Sequence, residues 1–352
     1  MSLSPAFSKA QHILVIQPLV GIGDMIWHKP WIDSLIKDYR VTLMTKPSVQ
    51  ADVMFEGASG SFALLKVDRS IRGRRGRHDG LFGFIRMVSD IRKTGADTAV
   101  IMHHSPRYAL AARLAGIPYR LGYGIGSQKM HLNTGQFLDK ATIYKHAIDK
   151  VGQFADRNGF GLSAPEWTIR VRKTALNAAN LMLQSWTFAT DQQTISPFLC
   201  IGIGAMNKER QWGAENFSEL MRELSVQRPD LKCFILGGPQ EQELADEIIA
   251  KLDEAGMGLP PVFLGRLDEA VALMSLSSGY VGNDTSLLNF MACVQKPAIG
   301  LFSETRPLDY SPYLHKIDAL QESEYGQIGI IQKIRPSDVM EKIDVLWPHR
   351  WK

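Results

Sequence analysis

Asn283-Asp284-Thr285-Ser286 follows the apolar pair Tyr280 and Val281 and precedes a helical pattern over residues 286–293. A Lys296-Pro297 break and a second apolar run, Ala298–Phe302, come next. The pattern predicts strand, turn, helix and strand, with the polar tetrad where the first strand gives way to the helix. Backbone N–H groups point out of a helix start and carry partial positive charge, so a phosphate can dock there. Asp284 or Thr285 can equally cap the helix, and capped turns are common. Spacing alone does not separate the two readings.

Val20-Gly21-Ile22-Gly23-Asp24 sets a carboxylate at another strand-to-helix turn. Such a group can take a proton from an attacking hydroxyl. It can also cap the helix, which spacing alone favours. Arg210 and Lys208 offer cations that offset charge on a departing phosphate. Arg holds two oxygens at once where Lys is a point charge. The same Lys-Glu-Arg run also reads as a solvated surface. Glu241 has two acceptor oxygens that suit a vicinal diol, yet with Glu243 and Glu247 it also makes an ordinary acidic helix start. Gly202, Gly204, Gly237 and Gly238 follow predicted strands, where they let a backbone approach a nucleotide or merely close turns.

A second charged feature is residues 69–78, where Arg69, Arg72, Arg74, Arg75 and Arg77 alternate with Gly73 and Gly76. An apolar helical pattern follows at once, with Leu81, Phe82, Phe84, Ile85, Met87 and Val88. The arginines suit carboxylates and phosphates of an anionic acceptor. Loop and helix together suit an anionic membrane surface. For the apolar part, a core helix is the favoured reading. His103 and His104 are adjacent at a strand end, where neighbouring side chains point to opposite faces, so the pair does not suit one metal.

The elements that must position these residues alternate between strand and helix, which predicts parallel sheets with crossover helices. Strands are expected at 12–17, 41–45, 98–102, 198–203, 232–236, 261–264, 279–281 and 298–302. Helices are expected at 24–39, with Pro30 an internal irregularity, and at 106–115, 214–224 and 241–252. A chain of 352 residues suggests two domains. The stretches 163–167 and 190–197 frame the boundary. A dinucleotide fingerprint fails because Ile26 stands where Gly21-x-Gly23 needs a third glycine. A P-loop is missing as well.

Composition narrows the classes further. Apolar residues make up 45% and charged residues 22%, ordinary values for a globular protein. No apolar run approaches the roughly 18–20 residues that span a bilayer. The first ten residues lack a basic segment followed by an apolar core, so a cytoplasmic location is expected. Cys200, Cys233 and Cys293 are far apart and read as core residues, not as a disulfide or zinc set. The net charge of +4 hides an asymmetry: residues 1–170 hold 23 Lys and Arg against 13 Asp and Glu, and residues 171–352 hold 17 against 23. The basic half predicts an anionic partner there. No nucleic-acid-binding signature accompanies it.

Four segments together resemble glycosyltransferase family 9, the bacterial lipopolysaccharide heptosyltransferases. Gly282-Asn283-Asp284-Thr285, with Ala292, Pro297, Gly300-Leu301-Phe302 and Pro307, is similar to the family's nucleotide-sugar loop. Gly23-Asp24 with Pro30 resembles its N-terminal motif, Arg210-Gln211-Trp212 its Lys-x-Trp segment, and Gly237-Gly238-Pro239 with Glu241 its second glycine turn. Ser105, Arg107, Arg113, Gly116, Arg120 and Gly122-Tyr123 also follow a family run. The resemblance covers about residues 12 to 310, most of the chain.

The resemblance implies an α/β fold of GT-B architecture, two Rossmann-like parallel-sheet domains facing across a cleft. The implied division is an acceptor domain over 1–165, a nucleotide-sugar domain over 166–335, and a helix and tail over 336–352. It implies an inverting, metal-independent transferase that moves a heptose, or a related sugar, from an ADP-linked donor to a lipopolysaccharide core or other surface glycan. Asp24 is then the general base, with Arg210 the cation on the leaving diphosphate. Gly23, Gly204, Lys208, Gly238, Glu241, Asp284, Thr285 and Ser286 meet the donor. Arg72, Arg74, Arg75, Arg107 and Arg120 face the acceptor. No cofactor is implied, and contact with the inner membrane is the alternative role of the basic loop. The sequence departs from the family at Arg210 (usually Lys), Ser286 (usually Gly) and Asn289 (usually His). Two alternatives stay open: a GT-B nucleotide-sugar epimerase or hydrolase, and a non-catalytic nucleotide-sugar-binding module, which the departures at Ser286 and Asn289 keep open.

Overall fold

The computed structural model describes residues 7–58, 60–70, 75–188, 195–205, 207–303, 309–319 and 330–348. The chain divides into two compact units, Met1–Trp167 and Thr168–Lys352.

Unit 1 runs β1 (His12–Ile16), α1 (Ile22–Asp38), β2 (Arg40–Thr45), α2 (Ala51–Met54), β3 (Phe62–Lys66), α3 (Gly80–Lys93), β4 (Thr98–Ile101), α4 (Pro106–Leu114), β5 (Tyr119–Gly122) and α5 (Ala147–Asn158). The strands pair in parallel in the order β3-β2-β1-β4-β5. β1 and β4 are central and buried along their whole length, so they read as unbroken apolar runs and not as alternating ones. Leu14, Ile16, Ile101, Met87, Ile91 and Tyr108 meet in one core under α3 and α4. α1 passes through Pro30 without ending there.

Unit 2 runs α6 (Lys173–Ser185), β6 (Phe198–Gly202), α7 (Ala214–Gln227), β7 (Lys232–Leu236), α8 (Gln242–Glu254), β8 (Val262–Phe263), α9 (Leu267–Leu276), β9 (Gly279–Asn283), α10 (Ser286–Cys293), β10 (Ala298–Phe302), β11 (Leu314–Asp318) and α11 (Pro336–Leu346). Its strands are also all parallel, in the order β11-β10-β9-β6-β7-β8. The sequence sets residues 336–352 apart. In the structure Val339, Met340 and Ile343 of α11 enter the unit 2 core beside Trp212 and Phe217. Cys200 and Cys233 lie on adjacent strands, and burial pushes both thiols up to about 12. They stay protonated and unreactive at neutral pH.

Both units are therefore doubly wound α/β folds of the GT-B kind. Each has one place where the strand order reverses: between β1 and β4 in unit 1, and between β6 and β9 in unit 2. Ligands of such sheets bind at the carboxyl ends of the strands beside that reversal.

Candidate functional site

In unit 1 the reversal brings the start of α1 beside the segment that follows β4. Gly21 precedes α1 in an extended conformation, and Asp24 sits in the first helical turn. Asp24 Oδ2 accepts a 3.3 Å hydrogen bond from the Gly21 N–H. A Cβ at position 21 would stand 2.7 Å from that oxygen, so a side chain there would crowd the carboxylate. Capping and catalysis are thus not rival roles here. The cap engages one oxygen of a carboxylate that has two. Burial raises the Asp24 pKa, while the Gly21 N–H and the charge of Lys150 hold it back.

Lys150, in the first turns of α5, acts electrostatically on Asp24, His28, His103, His104 and His146. His28 is fully buried one turn after Asp24, and its Nδ1 stands 2.6 Å from the Asp24 carbonyl oxygen. Tyr123 OH faces the other ring nitrogen, Nε2, at 3.5 Å. Burial lowers the His28 pKa to about 4 and, with His104 beside it, that of His103 to about 3. Both rings are neutral at pH 7. Lys46, at the end of β2, is also buried and lies close enough to act on His103. The region around Asp24 is therefore a cationic field with neutral imidazoles in it, suited to an anionic ligand.

The expectation for the adjacent histidines is corrected. β4 ends at Ile101, so the alternation rule does not reach residues 103 and 104. Their rings stack at 4.6 Å between centroids, 18° from parallel. Gln128 fixes this turn by donating to the carbonyls of His103 and Ser105 and accepting from the Gly124 N–H. Among the described residues no group of three His, Cys, Asp or Glu could hold a metal ion.

The unit 2 reversal is organised by Asn283, buried at the end of β9. Its amide donates to the carbonyls of Ile203 (2.9 Å) and Gly204 (3.1 Å) and accepts from the Trp212 N–H (3.2 Å). One side chain thereby holds the segment after β6 and the segment leading into α7. Between them residues Lys208–Arg210 form a helical turn. The side chain of Lys208 lies outside the described set. Trp212 is core, and its indole donates to the Ile334 carbonyl. Glu241 turns back to accept a 2.7 Å hydrogen bond from the Gly238 N–H, and its carboxyl carbon stands 3.3 Å from where a Cβ of Gly204 would be.

α10 starts at Ser286 with Thr285 as the preceding residue, whose side chain makes no capping bond. Thr285 Oγ1 is instead buried with no hydrogen-bond partner among the described residues, as is Tyr280 OH. Burial pushes the Tyr280 phenol up. Gly202 leaves room for that phenol, since a Cβ there would meet Tyr280 OH at 1.9 Å. The side chain of Thr285 thus does not cap the first N–H groups of α10. Asn289, one turn in, donates to the Thr285 carbonyl and accepts from Tyr310 OH.

The expected acceptor residues divide. Arg72 and Arg74 lie outside the described residues. Arg75 is exposed. Arg107 donates to the His78 and Gly80 carbonyls and lies 4.7 Å over the Phe84 ring. Arg120 donates to the carbonyls of His131, Ile117 and Pro118. Both guanidiniums therefore brace loops of unit 1. The sequence reading missed His28, Lys46, Tyr123, His146 and Lys150. One local signal was present: His146 and Lys150 are four apart at a helix start and share a face.

Known proteins resemble this chain in sequence and in fold. The profile of glycosyltransferase family 9 (heptosyltransferase) matches residues 84–330. Lipopolysaccharide heptosyltransferase 2 of Salmonella typhimurium is 23% identical over 238 residues, 66% of this chain and 66% of that protein, just under two thirds of its length. A family 9 glycosyltransferase structure from Veillonella parvula superposes with a TM-score of 0.77 at 18% identity, covering 96% of this chain and 97% of that one. E. coli ADP-heptose lipopolysaccharide heptosyltransferase II superposes with a TM-score of 0.71 at 17% identity, covering 96% and 98%. With its profile matched over more than half its length, the chain belongs to glycosyltransferase family 9, the heptosyltransferase family.

Proposed function

We propose that this chain is an inverting glycosyltransferase that moves a heptose from an ADP-linked donor to a lipopolysaccharide core or a related surface glycan. Unit 2 binds the donor. The start of α10 presents backbone N–H groups to the diphosphate, and Arg210 adds a side-chain cation where charge grows as the glycosidic bond breaks. Lys208 stands in the same turn and contributes a second charge. Glu241 accepts from the ribose hydroxyls. The ADP-heptose assignment rests on the family and on the name of the E. coli relative.

Unit 1 supplies the base. Asp24 takes the proton of the acceptor hydroxyl as its oxygen attacks the anomeric carbon from the face opposite the leaving diphosphate. The bond to the acceptor forms as that to the diphosphate breaks, which inverts the anomeric centre. Raised basicity suits this role, because a base works best with a pKa nearer the operating pH. The cationic surroundings favour an acceptor that carries carboxylates or phosphates. Neutralisation of the leaving group is assigned to Arg210 and the helix start, with no metal step. The observation that carries the reading is the α10 start, which lies at the strand-order reversal of unit 2 and whose N-cap residue Thr285 makes no capping bond.

Isothermal titration with ADP, UDP, GDP and CMP, repeated on Arg210→Ala, tests it. ADP alone should bind, and more weakly to the variant. Preference for UDP or GDP would remove the heptose assignment. A donor consumed without a glycosylated acceptor would replace transfer by hydrolysis.

A further inference from the structure

β6 and β9 run side by side at the strand-order reversal of unit 2, with Gly202 paired to Gly282 near their carboxyl ends. Tyr280 lies on the same face of β9 as Gly282, since alternate residues of a strand point the same way. Its phenol runs along the strand into the space that the two glycines leave. A Cβ on Gly202 would meet Tyr280 OH at 1.9 Å, and one on Gly282 would meet it at 2.6 Å. Both strands thus lack a side chain at this point, and the slot carries a hydroxyl toward the carboxyl end of the sheet.

That hydroxyl has nothing to bond. Tyr280 is fully buried, and its OH has no hydrogen-bond partner among the described residues. Other tyrosines are served: Tyr39 OH donates to the Phe7 carbonyl, Tyr123 OH faces His28 Nε2, and Tyr310 OH donates to Asn289. A buried phenol usually finds a partner, and one without it destabilises the fold. Phenylalanine would fill the same slot without that cost. Thr285 Oγ1 is in the same condition, buried and without a partner among the described residues. The Thr285 and Asp284 side chains both lie within reach of the phenol. Two unused hydroxyls therefore stand behind the start of α10, where a ligand of this kind of sheet binds. Buried polar groups left unsatisfied in a native fold point to a functional use.

We propose that Tyr280 is a positioning residue for the donor diphosphate and acts through Thr285. With the donor bound, Tyr280 OH donates to Thr285 Oγ1, and the Thr285 hydroxyl turns its own proton to a phosphate oxygen. Each hydroxyl then has the partner it lacks. A hydroxyl that accepts one hydrogen bond donates a stronger one, so the pair holds the anion better than Thr285 alone. Tyr280 itself stays closed off beneath the strand ends and does not touch the donor. The inference rests on the reading of unit 2 as the donor site, and adds to it a residue that lowers stability and raises affinity.

Isothermal titration of the full chain with ADP, UDP and GDP, beside thermal melting, tests this on Tyr280→Phe, Thr285→Val and the double variant. Tyr280→Phe should weaken nucleotide binding about three- to tenfold, the worth of one hydrogen bond, while its melting temperature holds or rises. A purely structural role would lose affinity only together with stability. The double variant should bind no more weakly than Thr285→Val, because the phenol acts only through that hydroxyl. Unchanged affinity in Tyr280→Phe would overturn the proposal and leave the donor reading standing. So would weakened binding with a lowered melting temperature, or losses that add in the double variant. Wild-type protein that binds none of the three nucleotides would remove the donor reading itself, and the role of Tyr280 with it.

Discussion

His28 and Asp24 are joined twice over: four residues apart on α1, they are also linked by a 2.6 Å contact from His28 Nδ1 to the Asp24 carbonyl oxygen. A carbonyl only accepts, so the proton of the neutral ring is on Nδ1, and Nε2 is left to accept from Tyr123 OH. The buried imidazole thus holds the residue proposed as the base by its backbone, leaving the carboxylate for chemistry.

Asp24→Asn separates capping from catalysis. The amide oxygen still accepts from the Gly21 N–H, so melting temperature and ADP affinity should hold. The amide cannot take a proton, and kcat should fall roughly a hundred- to ten-thousand-fold. Steady-state kinetics with a fixed acceptor reads this. A kcat within a few-fold of wild type would remove Asp24 from the mechanism.

Lys150→Met should move the acid limb of the pH profile. Lys150 stabilises ionised Asp24 and holds its pKa down against burial. Without that charge the carboxylate takes up its proton at higher pH, so the acid limb of kcat/KM shifts upward. An unmoved limb in a rate profile from pH 4 to pH 8 would show that another group titrates.

His28 links stability to pH. Its folded pKa is about 4, against 6.5 for the ordinary ring. Between those values the unfolded chain binds a proton that the folded chain refuses, so stability falls as pH drops through this window. The slope is about 1.4 kcal/mol per pH unit for one such group. His103 adds to it over the range from 6.5 down to about 3. His28→Gln should flatten the dependence of urea-unfolding free energy on pH between 6.5 and 4.

Asn283→Ala should destabilise unit 2 more than an ordinary polar deletion. It strands the Ile203 and Gly204 carbonyls and the Trp212 N–H, each at a cost of about 1–3 kcal/mol where buried. Asn283→Asp should be worse, because a carboxylate turns acceptor atoms toward two carbonyls. Urea unfolding followed by Trp fluorescence measures both. The wild-type midpoint in either variant would rule out the bracing role.

The central strands were legible because burial on both faces leaves unbroken apolar runs, as in His12–Ile16 and Ala298–Phe302. β3 and β11 are half-exposed edge strands and were not: Leu314–Asp318 carries no such run, and the four apolar residues Phe62–Leu65 are too short a run to stand out. β5, Tyr119–Gly122, is too short to show a pattern. Asp24 and Asp284–Ser286 were readable at the site because each occupies a strand-to-helix turn. The cationic group around Asp24 was not. Lys46, His103, His146 and Lys150 come from the ends of β2 and β4 and the start of α5, and only the sheet order brings them near one another. The outer face of α3 was ambiguous for a different reason: its apolar residues are dense enough to suggest a core, and only their exposure in the folded unit separates Leu81 and Phe82 from Met87.

The strand-order reversals also bear on how the chain acquires activity. Within each sheet, the pairing that closes the reversal, β1 with β4 or β6 with β9, joins residues farther apart in sequence than any other strand pair. Closing a longer loop costs more entropy, and distant contacts form late. The shorter-range pairs, such as β1 with β2 or β9 with β10, can assemble first and already give sheet structure. Neither the surroundings of Asp24 nor the Asn283 brace exists until the long closures are made. Both arrangements therefore depend on the contacts expected to form last, so a chain lacking either long closure lacks the corresponding site whatever sheet structure it has gained.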